Sequence, residues 1–281
     1  MTQSPVDAPR PQTAPAVATP TVRVRDLRKD FYDEARGEVH AVDGLTFTCQ
    51  PGEVFGLLGA NGAGKTTTLR ILSTVIRPTS GAASVMGHEV LEEPEAVRKS
   101  LGFYSASTAL YPRLTGRETL EFFARVNRYP EDLVEERVEE LVDRFGIREY
   151  QNTRVEKLSS GMKQRVSMAR TVAHDPPVLI FDEPTVGLDV MSALDMVRVI
   201  RELRDEGKTI LFSSHIMSEV EKLCDRIGII HRGRLLALGT LEELREETDE
   251  HYLEDVFLHF VNDAEGGGTA LGPAGVIQPG S

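Results

Sequence analysis

An α/β fold, with a mixed-sheet core and an inserted helical subdomain, is predicted by three features of the sequence. Short runs rich in β-branched and apolar residues alternate with helix-like patterns. Four of those runs, Val54–Leu58, Val178–Phe181, Thr209–Ser213 and Ile227–Ile230, are almost continuously apolar, as suits strands covered on both faces. Residues from about 91 to 173, between the first and second runs, read as mostly helical and so as an inserted subdomain.

The first twenty residues, MTQSPVDAPRPQTAPAVATP, are rich in Pro, Ala and Thr and lack a long apolar run. They are expected to form a disordered tail, residues 1–20, rather than a signal peptide or membrane anchor. The folded domain is expected over residues 21–262. Within its helical part, Glu131 to Phe145 sets Val134, Val138, Leu141, Val142 and Phe145 on one helical face, with acids opposite. The stretch HRGR, residues 231–234, lies between two apolar runs and reads as a hairpin turn. Residues 263–281, closing on AEGGGTALGPAGVIQPGS, read as a second flexible tail. No segment approaches the roughly 20 apolar residues that span a bilayer, so a membrane role is expected to be peripheral, through a partner.

The formal net charge of −12 argues against sequence-independent nucleic-acid binding, which needs a surplus of Lys and Arg. The two cysteines, Cys49 and Cys224, are too few for a disulfide framework and lack metal-ligand spacing. Both read as small buried hydrophobes in a reducing cytosol. The seven histidines include no pair at the i, i+4 spacing of a zinc site.

Chemistry concentrates at GANGAGKTTT, residues 59–68, between an apolar run and a helical stretch. Gly59, Gly64, Lys65 and Thr66 match G-x-x-x-x-G-K-[ST], and Asn61, Gly62, Ala63 and Thr67 complete the candidate nucleotide-binding loop. Glycines let successive backbone N–H groups turn inward as an anion nest, and the following helix adds the positive end of its dipole. Lys65 is placed to reach the β- and γ-phosphates, and the Thr66 hydroxyl to complete a Mg²⁺ shell. The corner is expected to hold a nucleoside triphosphate.

A second candidate is VLIFDEP, residues 178–184, a hydrophobic strand ending in two carboxylates. Alone it would be an ordinary Asp-Glu-Pro turn. Beside a phosphate cradle, Asp182 suits Mg²⁺, directly or through water, and Glu183 is placed to orient or deprotonate an attacking water.

Three further stretches narrow the reading: LSSGMKQR at 158–165, GLD at 187–189 and SSH at 213–215. In this order and spacing the sequence resembles the ATP-binding cassette family over most of residues 21–262. Within it, GFYSASTALYPRLTGRETL and LEDVFLHF resemble ATP-binding subunits of bacterial exporters of the sodium-export (NatA-like), ABC-2 branch. The resemblance implies a P-loop NTPase of the cassette type that hydrolyses ATP with Mg²⁺. It implies that Ser159 and the Gly161 backbone form a second anion site, which meets the γ-phosphate held by another subunit's cradle. Asp189 would link the two sites of that homodimer, and His215 would sense the γ-phosphate. Phe31 would stack on adenine, with Tyr32 as the fallback.

The function implied is that of an ATPase subunit paired with a separate integral membrane subunit, peripheral at the cytoplasmic face of the cell membrane. It would power export of sodium ions or drugs by ATP-driven dimer closure. The alternative is a soluble cassette ATPase acting on DNA or the ribosome. Such proteins usually carry two cassettes, long coiled coils or zinc cysteines. This sequence has one cassette, no sustained heptads and two lone cysteines.

The sequence departs from the family pattern in two places. Ser160 replaces the first signature glycine and Met162 replaces the glutamine, changes expected to tune the second anion site rather than abolish it. Ala106 stands where the family usually has a glutamine that bridges metal and membrane partner. Ser105, Ser107 or Thr108 would then supply a substitute oxygen, or coupling is looser. Ala106→Gln is expected to raise or alter the steady-state ATPase rate; an unchanged rate would remove this loop from the mechanism. Lys163, Arg165 and Arg170 on the signature helix read as a solvated basic face, with a contribution to the anionic site as the second reading.

Overall fold

The computed structural model describes residues 19–34, 37–105 and 108–266. A hairpin of β1 (Val22–Asp33) and β2 (Gly37–Cys49) comes first, and β3 (Val54–Leu58) then leads into α1 (Lys65–Leu72). After β4 (Ser80–Val85) and the two-residue β5 (His88–Glu89), α2 (Pro94–Ser100) runs directly into β6 (Leu101–Ser105). Three helices follow: α3 (Gly116–Val126), α4 (Val134–Arg144) and α5 (Ser160–Thr171). The chain then alternates through β7 (Val178–Asp182), α6 (Val190–Asp205), β8 (Thr209–Ser214) and α7 (Met217–Leu223). It closes with β9 (Arg226–His231), β10 (Arg234–Gly239), α8 (Leu241–Thr248) and α9 (Leu253–Ala264).

The main sheet has the order β10-β9-β3-β8-β7-β6. Its strands are parallel except β10, which returns antiparallel from the turn at residues 231–234, so the sheet is mixed. The four apolar runs are the neighbours β9, β3, β8 and β7, each within a residue or two of its expected ends. A second, antiparallel sheet, β2-β1-β4-β5, lies outside the expected set of strands.

Alternation along the strands explains the unbroken apolar runs. Val54 and Leu58 of β3, Leu179 and Phe181 of β7, and Ile210 and Phe212 of β8 enter one core with α4, α5 and α6. Phe55, Leu57, Val178, Ile180 and Leu211 enter the other, against the antiparallel sheet and α1. There Phe47 stacks on Phe55 at 5.0 Å. Each side chain points to the opposite face from its neighbour, and both faces are dry.

The described residues of 91–173 hold four α-helices and two 3₁₀ turns, but also β6, which pairs with β7 at the edge of the main sheet. The helix expected over 131–145 begins as a 3₁₀ turn at Glu131–Leu133 after Pro130, and α4 proper starts at Val134. All five residues of its apolar face are buried. The start of the second expected tail is also corrected. The helix α9 runs through residue 263 to Ala264, and Glu265 pairs with His231 at 3.1 Å and Arg232 at 2.6 Å. Residues 1–18 and 267–281 lie outside the described residues. Cys49 and Cys224 are free thiols, fully buried and half-buried, and burial pushes both up in pKa.

Candidate functional site

Parallel pairing aligns the carboxyl ends of the central strands. Leu58 of β3 lies opposite Ser214 of β8, and Ser213 opposite Asp182 of β7, so the three loops that follow meet at one edge. Crevices at strand carboxyl ends are where open α/β sheets bind ligands.

The loop after β3 is shaped by close packing. A Cβ on Gly59 would lie 2.4 Å from the Ile230 carbonyl oxygen, and one on Gly64 would lie 2.4 Å from that of Ala41. Gly64 also adopts φ 106°, open to glycine at low cost. The turn between β9 and β10 secures the loop from outside, where Gly233 N donates to the Ala63 carbonyl at 2.9 Å. α1 starts with no side-chain cap and no acid in its first turn, so its N-terminal N–H groups and positive dipole end are left for an anion.

Lys65 is 4% exposed, and its ammonium donates to the carbonyls of Gly59 at 2.6 Å and Ala60 at 3.3 Å. It also lies 3.3 Å from Glu183 Oε1, the same oxygen that sits 3.3 Å from His215 Nδ1. A buried cation is thus charge-paired, as its desolvation requires. Below it, the Thr66 hydroxyl donates to Asp182 Oδ1 at 3.0 Å and the Ser213 hydroxyl donates to the same oxygen at 2.8 Å. Glu183 itself has φ +49°, a left-handed conformation that costs a non-glycine residue about 1–2 kcal/mol. It is held there by Ser213, whose carbonyl and hydroxyl oxygens each accept from Glu183 N at 3.1 Å.

Two of the other expected residues are helix caps. Ser159 caps α5, accepting from Met162 N at 3.3 Å, and nothing lies within 4 Å of where a Gly161 Cβ would point. Asp189 caps α6, accepting from Met191 N at 3.0 Å, Ser192 N at 3.1 Å and the Ser192 hydroxyl at 2.7 Å. Those bonds, the Ser192 hydroxyl first, hold its carboxyl below the usual range. These hydrogen bonds of Ser159 and Asp189 are local ones that do not reach the cradle. Asn61 and Gly62 form an exposed turn, and Thr67 is half-buried in α1. Phe31 lies opposite Val39, two residues along β2 from the Ala41 that packs on Gly64, and the Lys29 ammonium stands 5.0 Å from its ring centre. Tyr32 is more exposed. Ala106 and Ser107 lie outside the described residues; of their neighbours, Thr108 N donates to the Ser105 carbonyl at 2.9 Å.

The signature helix corrects one reading. Arg170 is buried, its guanidinium 4.9 Å from the Phe123 ring centre, and Arg165 pairs with Asp195 at 2.9 Å, so neither belongs to a freely solvated basic face. Sequence reading also missed supporting residues. Glu219 accepts from the hydroxyls of Thr185 at 2.9 Å and Ser214 at 3.0 Å, tying the acid-pair loop to the histidine loop. Gln164 Nε2 donates to the Pro184 carbonyl at 2.7 Å. Ser213 had a usable signal, since it stands in the SSH stretch at a strand end. Gln164 had the same kind of signal in the LSSGMKQR stretch, and Glu219 had none.

The family model for ABC transporter matches residues 42–186. The ABC transporter ATP-binding protein NatA of Bacillus subtilis (strain 168) is 40% identical over 238 residues, 84% of this chain and 96% of that protein. The daunorubicin resistance ATP-binding protein DrrA3 of Streptomyces coeruleorubidus is 38% identical over 219 residues, 78% of this chain and 69% of that protein. A solved ATP-binding subunit of an ABC transporter superposes with a TM-score of 0.78 at 29% identity, covering 86% of this chain and 99% of that one. The family model and these relatives match a chain that gathers the loop at residues 59–67, Asp182, Glu183 and His215 at one sheet edge, and this chain belongs to the ABC transporter family.

Proposed function

We propose that this chain is the ATP-hydrolysing subunit of a membrane exporter, working through ATP-driven closure of two cassettes. The observation that carries the reading is the convergence of Lys65 and His215 on one oxygen of Glu183, beside the Thr66–Asp182 pair. A triphosphate entering the loop offers Lys65 stronger acceptors than the Gly59 and Ala60 carbonyls, so its ammonium turns to the β- and γ-phosphates. Glu183 is then released from the ammonium and takes the proton of the attacking water, while His215 contacts the γ-phosphate. The Thr66 hydroxyl and the Asp182 carboxylate are hard oxygen donors 3.0 Å apart, a set that fits Mg²⁺. Bound there, Mg²⁺ supplies neutralisation of the charge on the transferred phosphate.

The exposed N-terminus of α5, with Ser159 and Gly161, is the surface a second cassette's γ-phosphate meets, and Asp189 lies at that seam. The nucleotide is ATP, stacked on Phe31 with Lys29 yielding one face of the ring. No helix among the described residues is long and apolar enough to cross a membrane. The export path therefore belongs to a separate integral membrane subunit, with this chain peripheral at its cytoplasmic face. For the cargo, branch resemblance supports a sodium ion and the daunorubicin-resistance relative supports a drug. Both relatives named above carry ATP-binding roles, one of them in an ABC transporter and one in drug resistance, and neither supports the DNA- or ribosome-bound alternative.

The test is to purify the tagged chain from detergent-solubilised membranes of its host and identify what accompanies it by mass spectrometry. A stoichiometric multi-helix membrane protein without a cassette is expected. Ribosomal or DNA-repair proteins in its place would leave the ATPase standing and end the transport reading.

A further inference from the structure

We propose that Gln164 is a positioning residue for Glu183, through which the signature helix sets the geometry of the catalytic loop. The proposal rests on the reading of Glu183 as the water-activating carboxylate. Gln164 lies one turn inside α5, and its Nε2 donates to the carbonyl of Pro184, the residue directly after Glu183, at 2.7 Å. Tyr104 lines the same cavity as Gln164. Tyr104 is 1% exposed near the end of β6, paired in register with Phe181 just ahead of the acid pair. Burial pushes the Tyr104 hydroxyl up to about 12, so it stays protonated.

Glu183 needs such support. Its φ of +49° is held only while its neighbours over-determine it. Ser213 fixes its N–H, Glu219 fixes the loop further on through the Thr185 hydroxyl, and Gln164 fixes the intervening carbonyl. Of these three supports, only Gln164 comes from the helix that carries the second anion site. A cavity of about 420 Å³, lined by Tyr104, Ser160, Lys163, Gln164 and Ser167 among others, opens beside the amide. The side chain thus faces open space on one side, and a displacement of α5 reaches Pro184 through its hydrogen bond.

The experiment is steady-state ATP hydrolysis by the full chain, with Glu183→Gln measured in parallel. Gln164→Leu is expected to lower kcat about tenfold and leave the KM for MgATP within about twofold, because the cradle is untouched. Gln164→Glu supplies a readout that a merely structural role would not move. Its ionised carboxylate cannot donate to Pro184, whereas the protonated acid can, so its kcat relative to wild type is expected to rise as pH falls. Wild-type kcat in both variants would overturn the proposal. So would a loss in Gln164→Leu that tracks a fallen melting temperature, if Gln164→Glu shows no pH dependence beyond that of wild type. If Glu183→Gln alone turns over normally, the base assignment fails first. If Glu183→Gln is slow and the Gln164 variants are not, this proposal fails by itself.

Discussion

Replacing Lys65 with alanine is expected to weaken MgATP binding at least a hundredfold, read by titrating the purified chain with a fluorescent ATP analogue. The ammonium is buried and confined between the Gly59 and Ala60 carbonyls and Glu183, so it is already positioned where phosphate oxygens arrive. A hydrogen bond to a charged group is worth about 1.5–3 kcal/mol, and one ammonium shared by two phosphates makes two of them. Loss of about 3–6 kcal/mol corresponds to a change in Kd on the order of 10² to 10⁴. The helix should survive, since alanine is the better helix former at the start of α1. An unchanged far-UV circular dichroism spectrum would show this. Unchanged affinity for MgATP would undo the cradle.

Glu183→Gln is expected to slow turnover about 10²- to 10⁴-fold, the contribution of a positioned general base, while MgATP remains bound. The substitution is nearly isosteric and keeps the backbone donation to Ser213 that holds the strained conformation. It also removes the negative partner of Lys65, freeing the ammonium for phosphate, so nucleotide affinity should not fall. With hydrolysis stalled and γ-phosphate retained, a dimer should accumulate in ATP and be visible by light scattering coupled to size exclusion. Hydrolysis at the wild-type rate would falsify the base assignment; slow hydrolysis without a dimer would end the sandwich reading.

The parts of this site that were legible in the sequence share one property: their chemistry is contiguous. Gly59 to Thr67 is a single loop, and Asp182 and Glu183 end a strand that announces itself by unbroken apolar residues. The hairpin turn at residues 231–234 was legible for the same reason. The antiparallel sheet was not. Register shifts between Val24 and Leu27, Leu27 and Arg28, and Lys29 and Asp30 break the alternation of β1, and its exposed face is charged. The supports of the catalytic loop were hidden by distance, since Gln164 acts 20 positions from Pro184 and Thr185 acts 34 positions from Glu219. Arg170 was misread because a helix pattern reports which face is polar, not that an aromatic ring will cover it.

The position of β3 between β8 and β9 bears on how the chain is made. The loop at residues 59–67 is synthesised well before both neighbours of its strand, β8 and β9. Val54 N, at the start of that strand, donates to Asp225, 171 positions later, and the loop's outer brace is Gly233. Such distant pairing forms slowly, because the intervening chain must be closed before any contact is gained. Until β9 has been made, a nascent chain thus carries the motif without a complete pocket. A substitution in β9 or the turn after it is therefore expected to cost nucleotide affinity without touching ATP.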